Sequence, residues 1–199
     1  MPPSSEAWGC TGKERSIIRK TCKRYNIPGH AHALTFSCYK RRPFLTSELA
    51  CSHLADAIQK ARDKHRFHLW AYVFMPEHVH LVLWPCTETY VISIIPQTIK
   101  QSASRRVLLH LRKHSPNGLS LLSTGRADRP FCFWQEGGGY DRNITSVRIL
   151  VETIRYVHDN PVRRGLAQDA VSWPWSSARQ WLGTGSGPVP LDLDSLAHV

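Results

Sequence analysis

The stretch from Phe67 to Trp84 leaves the chain the least freedom. Two apolar runs, FHLWAYVFM (67–75) and HVHLVLW (78–84), are separated only by Pro76 and Glu77. A gap that short turns one strand back along the other, so the spacing predicts an antiparallel hairpin. Side chains alternate on a strand, which sends His78 and His80 to one face and Val79, Leu81 and Leu83 to the other. The second arm therefore shows two imidazoles together, just after the turn, on a strand that otherwise buries itself.

The remaining elements follow from periodicity. HALTFSCY (32–39) alternates and is rich in β-formers, so it reads as a strand, closed by the basic KRRPF. From Thr46 or Ser47, either of which can cap a helix, apolar residues recur at helical spacing to Lys64. A second helix is expected within 91–114, carrying Lys100, Arg105, Arg106, Arg112 and Lys113, and HSPNGLSLLSTGRADRP then reads as a long loop. FCFWQ (131–135) looks like another strand, and EGGGYDRN a flexible connection. Helix signals resume at Thr145 and stop at DNP, because Asn160 precedes Pro161. The order predicts an α+β sandwich with helices on an antiparallel sheet. Residues 1–28 read as a basic arm, 29–166 as the working domain, and 167–199 as a tail whose WPWSSARQW clasps the domain.

At 199 residues, with 26 Lys and Arg against 15 Asp and Glu and a formal charge of +11, the chain suits one domain that meets a polyanion, nucleic acid first. The six cysteines, at 10, 22, 38, 51, 86 and 132, form no C-x-x-C pair. They read as reduced thiols of a cytoplasmic protein. The opening residues lack the apolar core of a signal peptide, and no run of 18 apolar residues occurs, so no membrane partner is expected.

A histidine pair alone says little. With 11 histidines in 199 positions, chance supplies on the order of half an H-x-H per chain, and His30-Ala31-His32 is a second example. Packed histidines are the commoner case, yet two neutral imidazoles on a rigid strand also suit a divalent cation. IRYVHDNPVRRGL (154–166) adds Tyr156 and Asn160, four residues apart and so on one helical face. There a tyrosine hydroxyl has the reach to attack a phosphodiester and an amide oxygen to supply a third ligand. The alternative is a packed tyrosine with Asn160 as the helix C-cap. Arg163 and Arg164, next along the chain, either grip phosphates or form a solvated turn.

MPEHVHLVLWP, YVHDNPVRRGLA and WPWSSA, in that order, with RRPFL after the first strand and FWQEGGGYDRNI before the last helix, resemble the single-tyrosine HUH transposases, in particular the REP-associated tyrosine transposases. The likeness spans roughly Tyr25 to Arg179. It implies a ferredoxin-like or RRM-like HUH endonuclease fold, with the histidine pair on a central strand and the tyrosine on a flanking helix. It implies Tyr156 as nucleophile, and His78, His80 and Asn160 as ligands of Mg²⁺ or Mn²⁺. It also implies a single-stranded DNA substrate folded into REP-like hairpins, cut and rejoined through a 5′-phosphotyrosine link. The relatives include monomers and homodimers, so either assembly is open.

Within that frame Arg41, Arg42, Lys100, Arg105, Arg106, Arg155, Arg163 and Arg164 are candidate phosphate contacts, and Trp134 and Tyr140 candidate stacking platforms. A free tyrosine titrates near pH 10, so a cation or a basic neighbour such as Arg155 or His158 is needed to favour the phenolate. Asp141 is a further candidate beside the site. Two alternatives stand against a nicking enzyme. One is a domesticated, non-catalytic binder of structured DNA. The other is a water-using hydrolase, disfavoured because the only carboxylate near the pair is Glu77, in the turn or on the opposite face.

Overall fold

The computed structural model describes residues 24–198; most of the basic arm lies outside them. Four strands form one sheet: β1 (Ala31–Ser37), β2 (Phe67–Met75), β3 (His78–Pro85) and β4 (Tyr140–Ile144), in the order β2-β3-β1-β4 with every neighbouring pair antiparallel. Two split βαβ units interleave, the ferredoxin-like arrangement that the motifs imply. Met75 pairs with His78, so Pro76 and Glu77 are the two-residue turn of the expected hairpin.

Helix α1 (Glu48–His65) is capped by the Ser47 hydroxyl, which accepts from the Ala50 N–H. It packs with α2 (Ile94–His114) on one face of the sheet, over Leu34, Phe36, Leu69, Tyr72, Phe74, Val79, Leu81 and Leu83. Helix α4 (Val147–Arg163), started by Ser146, covers part of the other face through Leu150, Ile154 and Val157 against Trp70, Val73, Met75 and Val82. Because both faces are covered, β2 is apolar without alternation. A register shift between Leu69 and Ala71 lets Trp70 and Ala71 both join the α4 side of the core.

Three expectations are corrected. The fourth strand is Tyr140–Ile144, not 131–135, whose chain makes isolated bridges, Trp134 to Cys38 and Phe131 to Ser123, while Phe133 and Trp134 fill the α1–α2 core. Gly139 makes the entry to β4 possible: at φ +74° its backbone passes so close to β1 that a Cβ would stand 2.1 Å from the Thr35 carbonyl oxygen. The stretch after α2 is not wholly loop, since Ser115 caps the short helix α3 (Pro116–Ser120). Finally, α4 runs through Pro161 to Arg163. The proline ring removes one late helical hydrogen bond but is buried against the domain. Asn160 is thus inside the helix, and Arg164 is the C-cap.

The tail seals the outer edge of β2. The Trp175 carbonyl accepts from Phe74 N–H at 2.8 Å, the Ser177 hydroxyl accepts from Tyr72 N–H at 2.9 Å, and an Asp192 carboxylate oxygen accepts from Leu69 N–H at 2.8 Å. Trp181 donates its indole N–H to the Trp70 carbonyl at 2.6 Å, and Trp70 donates its own to Ser195 at 2.8 Å. A helix of four residues, α5 (Ala178–Trp181), anchors this wrap.

Buried His158 joins α4 to the tail, hydrogen-bonding the Ser177 hydroxyl at 2.8 Å, and burial pushes its imidazole down to about 4. Near pH 6.5 the unfolded chain begins to bind a proton there that the folded chain refuses. The contribution is therefore complete above about pH 6.5 and is lost as pH falls toward 4, by a limiting amount on the order of 3 kcal/mol. Melting temperature should fall through this window, and His158→Gln, which cannot titrate, should make that fall shallower, leaving the part due to His78 and His80. An unchanged slope in the variant would assign the acid sensitivity elsewhere.

Candidate nucleophile and metal-ligand site

Strand β3 delivers His78 and His80 to the α4 face of the sheet, while Val79, Leu81 and Leu83 enter the opposite core. The rings meet edge-on with centroids 4.7 Å apart, and their Nε2 atoms approach to 3.0 Å. Each outer nitrogen is held. His78 Nδ1 bonds a Glu77 carboxylate oxygen at 3.1 Å, and His80 Nδ1 bonds the Thr35 hydroxyl at 2.8 Å. Thr35 sits directly across from His80 in the β1–β3 register.

Burial keeps both rings neutral. It lowers His78, against the opposing pull of Glu77, and it drives His80 down to about 3, aided by the neighbouring His78. For Glu77 burial works toward a raised pKa, but Arg164 and His78 outweigh it and the net shift is downward. That carboxylate sits in the turn, as one of the expected placements had it. It accepts from Arg164 at 2.6 Å and is committed to these two partners.

Tyr156 projects from α4 onto the same spot. Its ring stands perpendicular to His80 with centroids 5.7 Å apart, and the Arg163 guanidinium lies 4.9 Å above it. The ring remains 46 % exposed. Asn160, one turn on, is buried, and its amide N–H donates to the Tyr156 carbonyl at 3.3 Å. Beside His80 and Tyr156 a cavity of about 430 Å³ opens between α4 and the β1–β4 side of the sheet.

The structure sorts the other candidate residues. Arg163 and Arg164 stand at the site, Arg41 lies near enough to act electrostatically on His78, and Tyr140 borders the cavity, 55 % exposed. Arg42 donates to the Leu121 carbonyl at 2.6 Å, and Lys100 to the Gly137 carbonyl at 2.7 Å. Burial lowers the Lys100 ammonium, with Arg24 and Arg129 adding to the shift. Arg105 is exposed on α2, and Arg106 pairs with Asp56 of α1 at 2.6 Å, both across the sheet from the histidines. Arg155 is exposed on α4.

Trp134 is not a stacking platform. It is 4 % exposed and packs edge-on against Phe36 at 5.1 Å. His158 turns to Ser177 instead of toward the Tyr156 hydroxyl. Asp141, paired with Leu34 in the β1–β4 register, faces the α1–α2 side and bonds His32 at 2.8 Å, while His32 reaches the Tyr90 hydroxyl at 2.8 Å. That network places His32 in the body of the fold, while half-buried His30 meets the Asn143 side chain at 3.3 Å. Thr35, Ala33 and Arg142 were invisible to sequence reasoning because only strand register brings them to the site; Glu77, adjacent to His78, was visible but undervalued.

Residues 25–120 match the family model described as "Transposase IS200 like". No curated protein matches the chain. Among solved structures the chain is similar to a REP-associated tyrosine transposase bound to a REP hairpin, at 21 % identity, covering 82 % of this chain and 86 % of that one with a TM-score of 0.61. It is also similar to a protein of Deinococcus radiodurans R1 provisionally assigned as a transposase, at 20 % identity, covering 69 % of this chain and 95 % of that one with a TM-score of 0.42.

Proposed function

We propose, from the match of residues 25–120 to the IS200-like transposase family model, that this protein is a metal-dependent nicking and strand-transfer enzyme acting on single-stranded DNA beside REP-like hairpins. The observation that carries the reading is the packing of an exposed tyrosine, Tyr156, against His80 of a pair of neutral imidazoles from the same chain, His78 buried and His80 half-buried. The likeness to a hairpin-bound transposase supports hairpin DNA as the partner. A tyrosine packed on a histidine of its own chain favours a working monomer, and a DNA substrate supports work in the cytoplasm at the nucleoid.

Two neutral imidazole nitrogens and an amide oxygen are donors that a divalent cation can take. The two Nε2 atoms converge to 3.0 Å on one side of the strand, so both can face a single ion. Both outer nitrogens already have partners, as ligating histidines require. His78, His80 and the Asn160 amide oxygen would hold Mg²⁺ or Mn²⁺, which supplies Lewis-acid stabilisation of the phosphate charge. The chain's own residues do the rest. Tyr156 Oη attacks phosphorus in line, an O–P bond forms, the P–O3′ bond breaks, and the proton from the tyrosine ends on the departing 3′-oxygen. The downstream fragment stays on the enzyme through its 5′-phosphate as a phosphotyrosine diester, so the bond energy is kept for rejoining to a 3′-hydroxyl. Arg163 holds the tyrosine ring, and Arg164 ties the end of α4 to the hairpin turn through Glu77.

Purified protein incubated with Mn²⁺ and a 5′- or 3′-labelled hairpin oligonucleotide should become covalently attached to the downstream fragment, and mass spectrometry should find that fragment on the peptide holding Tyr156. Hairpin binding without an adduct, in Mg²⁺ and Mn²⁺ alike, would leave the non-catalytic binder as the better reading. Thr35→Val keeps the shape of the side chain but deletes the partner of His80 Nδ1. Mn²⁺ affinity, measured by calorimetry, should fall about 10- to 100-fold; equal affinity would remove Thr35 from the site.

A further inference from the structure

The cavity beside Tyr156 has no part in the chemistry above, yet it opens directly onto the reacting groups. Its floor is small and apolar, formed by Ala33, Ile149 and Val157, and Arg142, Glu152 and Thr153 supply a polar wall. Strand register explains the hollow. Tyr140, Thr35 and His80 lie side by side in one row across β4, β1 and β3, and Ala33 faces Arg142 in the next row. Where β1 offers only Ala33 and Thr35 beneath α4, the space is left unfilled.

We infer that this hollow receives one unstacked nucleobase of the substrate strand, the base adjoining the phosphate that Tyr156 attacks. The inference rests on the proposed function and adds a specificity element to it. About 430 Å³ suits a single small-molecule group and is too confined for a duplex. A base within a duplex is stacked on both faces, so only a base swung out of the stack can enter. The Tyr140 ring, 55 % exposed at the cavity, presents an aromatic face for stacking. The Glu152 carboxylate accepts from Arg148 at 3.0 Å and retains lone pairs for an exocyclic amino group, while Arg142 can donate to ring nitrogens and carbonyls. A base seated here would hold its phosphodiester over the histidines and fix which linkage meets the tyrosine.

The test begins by mapping the cleaved linkage of a hairpin oligonucleotide from its covalent adduct. Oligonucleotides carrying an abasic residue on either side of that linkage are then compared with the intact strand in single-turnover adduct formation. One of the two abasic strands should react about ten- to hundredfold more slowly with the natural protein. Ala33→Leu, which fills the floor, and Tyr140→Ala, which removes the ring, should slow the intact strand by a similar factor and leave the abasic strand unaffected, so that the two react alike. Thermal unfolding of each variant establishes that it is folded, and the abasic comparison in the natural protein stands without any variant. Abasic penalties below twofold at both positions overturn the inference, as does a full penalty that persists in both folded variants. Absence of any adduct with the intact strand is a different result, and sinks the nicking function itself.

Discussion

Tyr156→Phe is expected to abolish covalent capture of DNA while leaving the fold intact. The substitution deletes one hydroxyl from a ring that is 46 % exposed, so the change in stability should stay within about 0.5 kcal/mol. The ring keeps its perpendicular contact with His80 and its place beneath Arg163, which means hairpin affinity should also persist. Adduct formation should fall by at least on the order of 10⁴-fold, the scale seen when a nucleophile that works as part of a unit is removed. Tyr140→Phe is the matched control, because Tyr140 is an exposed tyrosine at the same cavity and its ring face survives the change. If the Tyr156 variant still forms the adduct and the Tyr140 variant does not, the nucleophile is Tyr140 on β4 and not Tyr156 on α4.

Deletion of residues 167–199 should be the most damaging change to stability. It strips the partners from Leu69, Tyr72 and Phe74 along β2 and bares Trp70, a fully buried side chain. Burial of a large aromatic side chain contributes about 3–5 kcal/mol when judged by truncation, and an open apolar strand edge recruits other chains. Since small domains hold only about 5–15 kcal/mol in all, the shortened chain should show no cooperative melt and should aggregate. A sharp transition close to that of the full chain would mean that the tail rests on the domain without supporting it.

Local chemistry explains what was legible in the sequence. The hairpin was fixed by a two-residue gap between apolar runs, and α1 by Ser47 ahead of helical periodicity. The fourth strand was misplaced because FCFWQ has stronger β propensity than YDRNI, whose polar residues suit a strand that pairs on one side only. Helix α4 was ended too soon because the rule for proline is local, whereas burial of Pro161 is a tertiary effect. In the site, helical spacing alone put Tyr156 and Asn160 on one face. Thr35 and the hollow over Ala33 depend on which residue of β1 stands beside which residue of β3 and β4, and register has no signature in a single strand.

The sealed edge of β2 also has a consequence in time. Chains emerge from the ribosome at about 5–20 residues per second, so roughly 10 s separate the synthesis of β2 from that of Ser177 and Ser195, which complete it. During that interval the hairpin and α1 are already available to pack, yet the backbone of Leu69, Tyr72 and Phe74 waits for its partners. The nascent chain therefore carries an adhesive edge until the segment from Trp175 to Ser195 arrives, which makes the growing polypeptide, more than the folded protein, the form most dependent on chaperones.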